Sequence, residues 1–438
     1  MIRESVSRPR YPALRGRKKA DVAVVGGGFA GITTALWLAR AGLQVVVLEA
    51  MQPGWGASDK CSGILCIGCE LRYAQLEEEK GSAVTDAYTH TQLRAIQAIA
   101  ELNESRHFGF HKVNGRIIAA HQSEADLLRL EYEAMKRAGL HVRLMQQGSA
   151  SGRRMAAIEL EKTYLLDPSA YLACLLDHAE RLGVAVYGDS RVIGFETDAT
   201  YTEMGSVQAP YIVVTTGYPV LNIPGWFFTR LEQRSIRVTE YAGDGCVEGV
   251  DMSANRRIGS CPFGRGVLVR EIADRRQCFD TENDFFHLSQ RGLVKTGREY
   301  MSVDCFTPDQ LPYIGTYAIK TPNLYVATGF GCNGLAYSMI AAQAISARIL
   351  GLPSDGYEIY SPQRSMKRWP TAVRIGRNYM GSIWGKTGSP RCSHMGCKLN
   401  YNRQSGLWEC PCHGSRFDDI GRVVNAPAVR PAQLRERK

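Results

Sequence analysis

No run of about 20 purely apolar residues occurs in the chain, so no segment reads as a membrane-spanning helix. The nearest candidate, Gly334 to Leu350, carries Gln343 and Arg348 and is rich in alanine, so it reads as a buried helix. The amino-terminal stretch MIRESVSRPRYPALRGRKK has neither the apolar core of a secretory signal nor paired arginines. It is Arg-rich and nearly free of acid, as an organellar transit peptide would be, but the first strand starts almost at once; a cytoplasmic protein is expected. Repeats and low-complexity tracts are missing. The 13 cysteines are odd in number and spread along 438 residues, which does not suit a secreted disulfide framework. The formal charge of +10 comes from scattered Lys and Arg, and no nucleic-acid-binding motif accompanies it. An acidic redox partner, an anionic substrate, a membrane surface or a general solubility charge all fit it. Length and an ordinary apolar fraction of 45% allow a large core and more than one domain.

What is present begins with Asp21 to Ala50, DVAVVGGGFAGITTALWLARAGLQVVVLEA. The apolar run Val22 to Val25 predicts a buried parallel strand. It meets Gly26, Gly28 and Gly31 in the order G-x-G-x-x-G, then a helix with Ile32, Ala35, Leu36, Leu38 and Ala39 on its apolar side. Gly42 ends that helix, and a second strand, Val45 to Leu48, closes on Glu49. Gly26 makes the tight turn, Gly28 admits a pyrophosphate to the backbone, and Gly31 lets helix and strand approach. The helix start receives the phosphates. Glu49 suits ribose hydroxyls and would repel a 2′-phosphate. A glycine triplet alone is weak; the whole strand–turn–helix–strand–Glu string is specific for a dinucleotide.

Further along, Gly54, Gly56, Ala57 and Ser58 predict a loop close to the cofactor. Cys61, Cys66 and Cys69 have a plant-ferredoxin spacing but no fourth ligand, so they read as small thiols lining a loop. Helices are expected over 85–102 and 124–138, a strand over 113–120, and a helix opened by Asp167-Pro168 through Arg181. Strands follow at 184–187 and 191–195. The stretch Ala209 to Gly217 returns the chain to the nucleotide sheet, and 227–302 turns to strands. A strand from Asn323 to Ala327 runs into Thr328-Gly329-Phe330-Gly331-Cys332-Asn333-Gly334, a second glycine turn at a helix start, whose dipole favours negative charge. No second dinucleotide fold follows, and residues 351–386 read as a linker with some local order.

The tail concentrates the remaining chemistry. Cys392-x-His394 and Cys410-x-x-His413 form a two-plus-two ligand set. Two thiolates can hold one iron of a [2Fe–2S] centre and two imidazoles the other, which raises the potential to about −150 to +300 mV. Ser415 is placed to donate to such a centre. Two Cys and two His also suit a structural zinc, although C-x-H is an awkward finger spacing and Gly396 and Gly414 suit loops wrapped over a cluster.

Two resemblances rest on these residues. Positions 20–350, through DVAVVGGGFAG with Glu49, GWGAS, VVTTG, TPDQLPYIG and NLYVATGFGCNG, resemble the D-amino-acid-oxidase-like FAD-dependent oxidoreductases. The tail, through CSHMGC and CPCHGSRFD, resembles a Rieske [2Fe–2S] domain of the disulfide-bearing form; that likeness implies a Cys397–Cys412 disulfide joining the two loops. The implied architecture is an α/β, Rossmann-like FAD-binding domain with an α+β substrate domain inserted in segments, plus a small all-β module. FAD-binding parts are expected at about 20–75, 165–226 and 303–350, substrate parts at 76–164 and 227–302, and the module at 387–438. The resemblance implies that Gly26, Gly28, Gly31 and Glu49 bind the ADP half of FAD, that Ser58 passes near the pyrophosphate or ring, and that Val192 meets adenine through its backbone. Gly217 joins that cofactor set, and Gly329, Gly331, Asn333 and Gly334 face the flavin. It implies Cys392, His394, Cys410 and His413 as cluster ligands.

Departures from the family pattern matter too. Asp304 stands where some members place a carboxylate-binding Arg, and Ser302 where some place a flavin-linking Cys, with Cys305 shifted. These argue against a carboxylate clamp and a covalent flavin. Arg298, Tyr300 and Tyr218 are candidate pocket residues, with structural roles as the rival reading. The implied activity is oxidation of an amine or N-substituted amino acid by hydride transfer to flavin, with electrons leaving singly through the cluster to an external protein or quinone. A reductase component serving a partner enzyme, and a non-enzymatic protein with a structural zinc tail, are the alternatives.

Overall fold

The computed structural model describes residues 9–68, 71–119, 121–145, 156–243, 249–254, 258–263, 266–273, 293–354, 356–364, 390–403 and 405–434. Two compact units emerge. One combines Asp59–Cys174 with Arg234–Val303; the other combines Pro9–Ser58, Leu175–Gln233 and Asp304–Lys438. Among the described residues no helix is long and apolar enough to cross a membrane.

The second unit is built on a six-stranded sheet in the order Tyr313–Thr316, Leu324–Thr328, Tyr211–Val214, Val22–Val25, Val45–Leu48, Ala185–Tyr187. Only Tyr313–Thr316 runs antiparallel to its neighbour. The VAVV and VVVL strands are buried at every position, as a parallel sheet covered on both faces requires. Helices Phe29–Arg40 and Gly334–Ile349 pack against each other. The second of these is buried nearly all round, which explains its alanines and its long apolar run. The expected strand over 191–195 shrinks to Gly194–Phe195, paired with Ala199–Tyr201 in a separate four-stranded sheet. That sheet also holds an unexpected strand, Gly16–Lys19, whose GRKK sequence is fully exposed. It forms by pairing in parallel with Gly205–Gln208, and its lysines protect an edge rather than fill a core.

The segment read as a linker starts with local order. Tyr357–Tyr360 forms a short 3₁₀ turn. Arg364, with 7% of its side chain exposed, grips both carboxylate oxygens of Asp309 at 2.7 Å and donates to the carbonyls of Leu311 and Pro312. Its guanidinium lies 4.3 Å from the ring centre of Tyr313. The tail folds as an antiparallel sheet, Asn400–Asn402, Leu407–Glu409, Arg416–Phe417, Val423–Asn425, over a small core of Cys392, Cys397, Leu399, Cys410, Cys412 and Phe417.

The first unit carries a nine-stranded sheet whose long strands include His111–Ala119, Ala156–Leu165, Glu232–Ala242 and Val294–Phe306. Helices Tyr73–Lys80, Ser82–Ser105 and Gln122–Arg137 accompany it. The buried carboxylate of Glu131 accepts from the backbone N–H groups of Tyr73 and Ala74, at 2.7 and 2.9 Å. It thereby caps the first of these helices from the third, a partnership that no local capping motif announces. Asp167 caps its own helix, Pro168–Arg181, by accepting from Ser169 and Ala170.

Candidate active site and metal centre

The first glycine turn is dictated by close approach. At Gly31 a Cβ would stand 1.8 Å from the Gly26 carbonyl oxygen, and at Gly26, with φ +112°, it would stand 2.6 Å from the Thr215 oxygen. Thr215, in the VVTTG stretch, donates from Oγ1 to the Val25 and Gly26 carbonyls at 3.0 and 3.1 Å and so fixes the turn to the neighbouring strand end. Gly28 caps the helix without a side-chain acceptor, and the first turn carries no acid. The Phe29 N–H is held from outside by Ser58 Oγ at 3.1 Å. Ser58 therefore sits at the helix mouth, beside Gly28. Such a start favours an anion.

Glu49 is buried at the end of its strand. Its oxygens accept from Gly27 N–H at 2.6 Å and Met51 N–H at 2.9 Å. Burial pushes its carboxyl above the usual range, while these donors and the charge of Arg191 pull it back. A carboxylate offers about four lone-pair sites, so the backbone donors, Ala50 among them, leave capacity for a ribose hydroxyl. The turn, the open cap and Glu49 together fit the ADP half of FAD. Val192 is buried in the core beside them.

The second glycine turn is held from two sides. Thr328 Oγ1 donates to the Gly217 carbonyl at 2.5 Å, and Gly331 N–H donates to the Cys305 carbonyl at 3.0 Å. Asp304 then accepts from Cys305 N–H and Cys332 N–H, both at 2.7 Å. Cys332 has φ +73°, a conformation costly for a residue with a Cβ, and the Asp304 bond keeps it there. Asn333 is buried at the N-cap position of the following helix without a side-chain cap bond, and the first turn of that helix is free of acid. The sequence placed Asp304 only as a departure from a family pattern. Its structural work, bracing the turn, shows only when two distant backbone N–H groups meet it. Among the candidate pocket residues, Tyr218 is buried in the core and Arg298 is largely exposed near Glu240.

In the tail, two loops repeat one geometry. Cys392 N–H donates to the Cys397 carbonyl and Gly396 N–H to the Cys392 carbonyl; Cys410 with Ser415, and Gly414 with Cys410, do the same. Gly396 and Gly414 both take positive φ, +75° and +79°. The sulfurs of Cys397, Cys410 and Cys412 lie within 4.8 Å of one another, and Cys392 joins them through a hydrogen bond with Cys410 that draws its thiol down to about 7. The same crowding pushes Cys410 up. Ser415 is fully buried; its Oγ accepts from Ala428 N–H at 3.1 Å and keeps its own hydrogen for Cys392. The rings of His394 and His413 stand 5.0 Å apart, nearly perpendicular. Desolvation, reinforced by the second ring, pushes His394 down to about 4, and burial also lowers His413. Both are therefore neutral near pH 7, the form that ligates a metal. The Nδ1 atoms of both rings are buried without a hydrogen-bond partner. Orphaned imidazole nitrogens beside clustered sulfurs fit a cluster held by two Cys and two His. Cys397 and Cys412, the expected disulfide pair, are both buried, with their sulfurs within 4.8 Å of the Cys410 sulfur. Cys69 lies outside the described residues, while Cys66 sits against Thr163 Oγ1 at 3.2 Å.

Comparison with known proteins follows the same division. The family of FAD dependent oxidoreductases matches residues 21–348, and the Rieske [2Fe-2S] domain matches residues 377–436. The second match takes the place of the zinc alternative. The chain is 21% identical to YhfW of Bacillus subtilis (strain 168), named as a Rieske 2Fe-2S iron-sulfur protein, over 98% of this chain and 95% of that one. Glycine oxidase from Geobacillus kaustophilus has a similar fold, with TM-score 0.66 and 18% identity over 80% of this chain and all of that one. L-Proline dehydrogenase from P. horikoshii superposes with TM-score 0.63 at 18% identity, over 80% of this chain and 98% of the other.

Proposed function

Because the chain belongs to the FAD dependent oxidoreductase family and carries a Rieske [2Fe-2S] domain, we propose that it dehydrogenates an amine or N-substituted amino acid and passes the electrons singly to an external protein or quinone. Bound FAD supplies two-electron hydride acceptance at the carbon next to nitrogen, and the bound cluster supplies one-electron transfer. The substrate loses that hydride and a proton from nitrogen, and water hydrolyses the resulting imine.

The chain's own residues hold and orient. Gly26, Gly28 and Gly31 give the pyrophosphate its approach to the helix start, Ser58 stands beside it, Glu49 takes the ribose, and Val192 borders the adenine. Gly217 with Gly329, Gly331, Asn333 and Gly334 borders the flavin end, where the helix dipole offsets negative charge. Asp304 braces that turn. Cys392, His394, Cys410 and His413 hold the cluster, and Ser415 donates toward Cys392. Cys397 and Cys412, one in each ligand loop, are the pair whose disulfide would join the two loops.

The observation that carries the reading is the coexistence of a two-electron family site with two buried, neutral imidazoles beside clustered sulfurs. Proteins of this fold that bear the names glycine oxidase and L-proline dehydrogenase support an amine or imino substrate. The test is anaerobic addition of a panel of primary amines, N-methylated amino acids, proline and glycine to holoprotein. Bleaching of the flavin absorption by a panel member is expected; no bleaching by any of them would overturn the substrate class. The engagement of Asp304 with backbone N–H groups favours, as a second reading, a reductase component without a carboxylate-bearing substrate. Rapid mixing with a protein partner would then change the flavin's redox state where amines do not.

A further inference from the structure

Within the second unit, the histidine edge of the tail is covered by a segment far away in sequence, residues 221–233. Asn222 Oδ1 lies 2.5 Å from His394 Nε2. The ring of Phe228 meets the ring of His413 edge-on, with centroids 6.0 Å apart. Gln233 clasps the second ligand loop's surroundings: its amide donates to the Ala426 carbonyl at 3.0 Å and accepts from Asn425 Nδ2 at 2.9 Å. A Cβ on Gly414 would stand 2.4 Å from the Gln233 oxygen. The Arg191 guanidinium adds a bond to the Val423 carbonyl at 3.1 Å.

Asn222 is held rigidly where it meets His394. Buried Tyr317 donates its hydroxyl hydrogen to the Leu221 carbonyl at 2.6 Å. The Asn222 carbonyl accepts from Trp226 N–H at 2.9 Å, and Arg230 donates to the Gly225 carbonyl at 2.7 Å. The side-chain oxygen is thus aimed from a fixed turn. An oxygen acceptor there requires the hydrogen of neutral His394 to sit on Nε2, which leaves the lone pair on Nδ1, the nitrogen that is buried without a partner. The contact selects one tautomer out of two.

We propose that Asn222 is a positioning residue for the cluster: it fixes His394 as an Nδ1 ligand and tunes the cluster's potential from outside the tail, with residues 221–233 as the internal seat of the histidine edge. The proposal rests on the reading of His394 as a ligand. An acceptor on the outer N–H makes an imidazole a stronger donor to its metal and fixes its orientation. A stronger donor stabilises the oxidised cluster and lowers its potential. Asn222→Asp, nearly isosteric and charged, therefore lowers the potential. Asn222→Leu, which removes the acceptor, raises it.

The test is an EPR-monitored redox titration of holoprotein and both variants, with iron and acid-labile sulfide counted per chain. The flavin absorption serves as internal control. The expected result is two shifts of opposite sign, each of about tenfold in the oxidised-to-reduced ratio at fixed solution potential, about 59 mV for one electron. Unchanged potentials at full iron content, or shifts of the same sign, would overturn the proposal. If Asn222→Leu fails to hold iron, Asn222→Asp decides alone: a lowered potential supports the assignment and an unchanged or raised one refutes it. A His394→Ala variant that kept the full native cluster signal would instead remove the ligand reading on which the proposal stands.

Discussion

Asp304 illustrates how a single side chain can be visible in a sequence while its job is not. As a letter it marks only a missing arginine. In the fold its two oxygens receive the backbone N–H groups of Cys305 and Cys332, holding the second glycine turn in shape. Each N–H left without an acceptor costs about 1–3 kcal/mol. Asp304→Ala is therefore expected to lower stability by about 2–4 kcal/mol in denaturant titrations and to loosen FAD, whereas Asp304→Asn recovers part of both. Glu49 behaves differently, because burial makes its charge expensive before any cofactor binds. Glu49→Gln is expected to leave the FAD-free protein no less stable in thermal unfolding. Its FAD affinity should fall about tenfold or more, since hydrogen bonds to a charged acceptor contribute about 1.5–3 kcal/mol. A fluorescence titration with FAD measures the second effect. The glycine fingerprint and Glu49 were legible because local geometry forces those residue types. Glu131, Thr215 and Asn222 were not, since each acts on a partner 58, 189 or 172 positions away.

At the scale of elements, legibility followed the hydrophobic pattern. The strands Val22–Val25 and Val45–Leu48 and the helices Phe29–Arg40 and Gly334–Ile349 came from apolar runs and periodicity, and the start of a further helix, Pro168–Arg181, came from Asp167-Pro168. The strand Gly16–Lys19 did not, because it is charged and exposed and owes its existence to its pairing partner. The clamp formed by Arg364 was hidden in a stretch that reads as polar linker. That arginine holds Asp309 bidentately and stacks on Tyr313 while almost buried. Removing one partner of a buried, hydrogen-bonded ion pair costs about 3–5 kcal/mol. Arg364→Ala is expected to destabilise the protein by that order in denaturant titrations. Arg364→Lys should restore little of it, because an ammonium cannot reproduce the planar fork. Equal stability of both variants with the native protein would show that the clamp is dispensable.

For the whole molecule, the family matches divide the chain into a FAD-dependent oxidoreductase and a Rieske domain, and the described tail loops supply the sulfurs and neutral imidazoles that such a domain needs. Both cofactors were legible in the sequence because both rest on short, spaced motifs. The substrate was not, because pocket chemistry is carried by side chains that no motif gathers. The opposite numbers of electrons handled by the two groups, two and one, give the chain its proposed logic, and that logic is open to direct measurement. Anaerobically purified holoprotein is mixed with each member of the amine panel, and flavin absorption and the low-temperature EPR spectrum are recorded on the same sample. The account predicts that a substrate which bleaches the flavin also brings up the reduced Rieske signal. A bleached flavin with the cluster still fully oxidised, in protein that dithionite readily reduces at both centres, would contradict it.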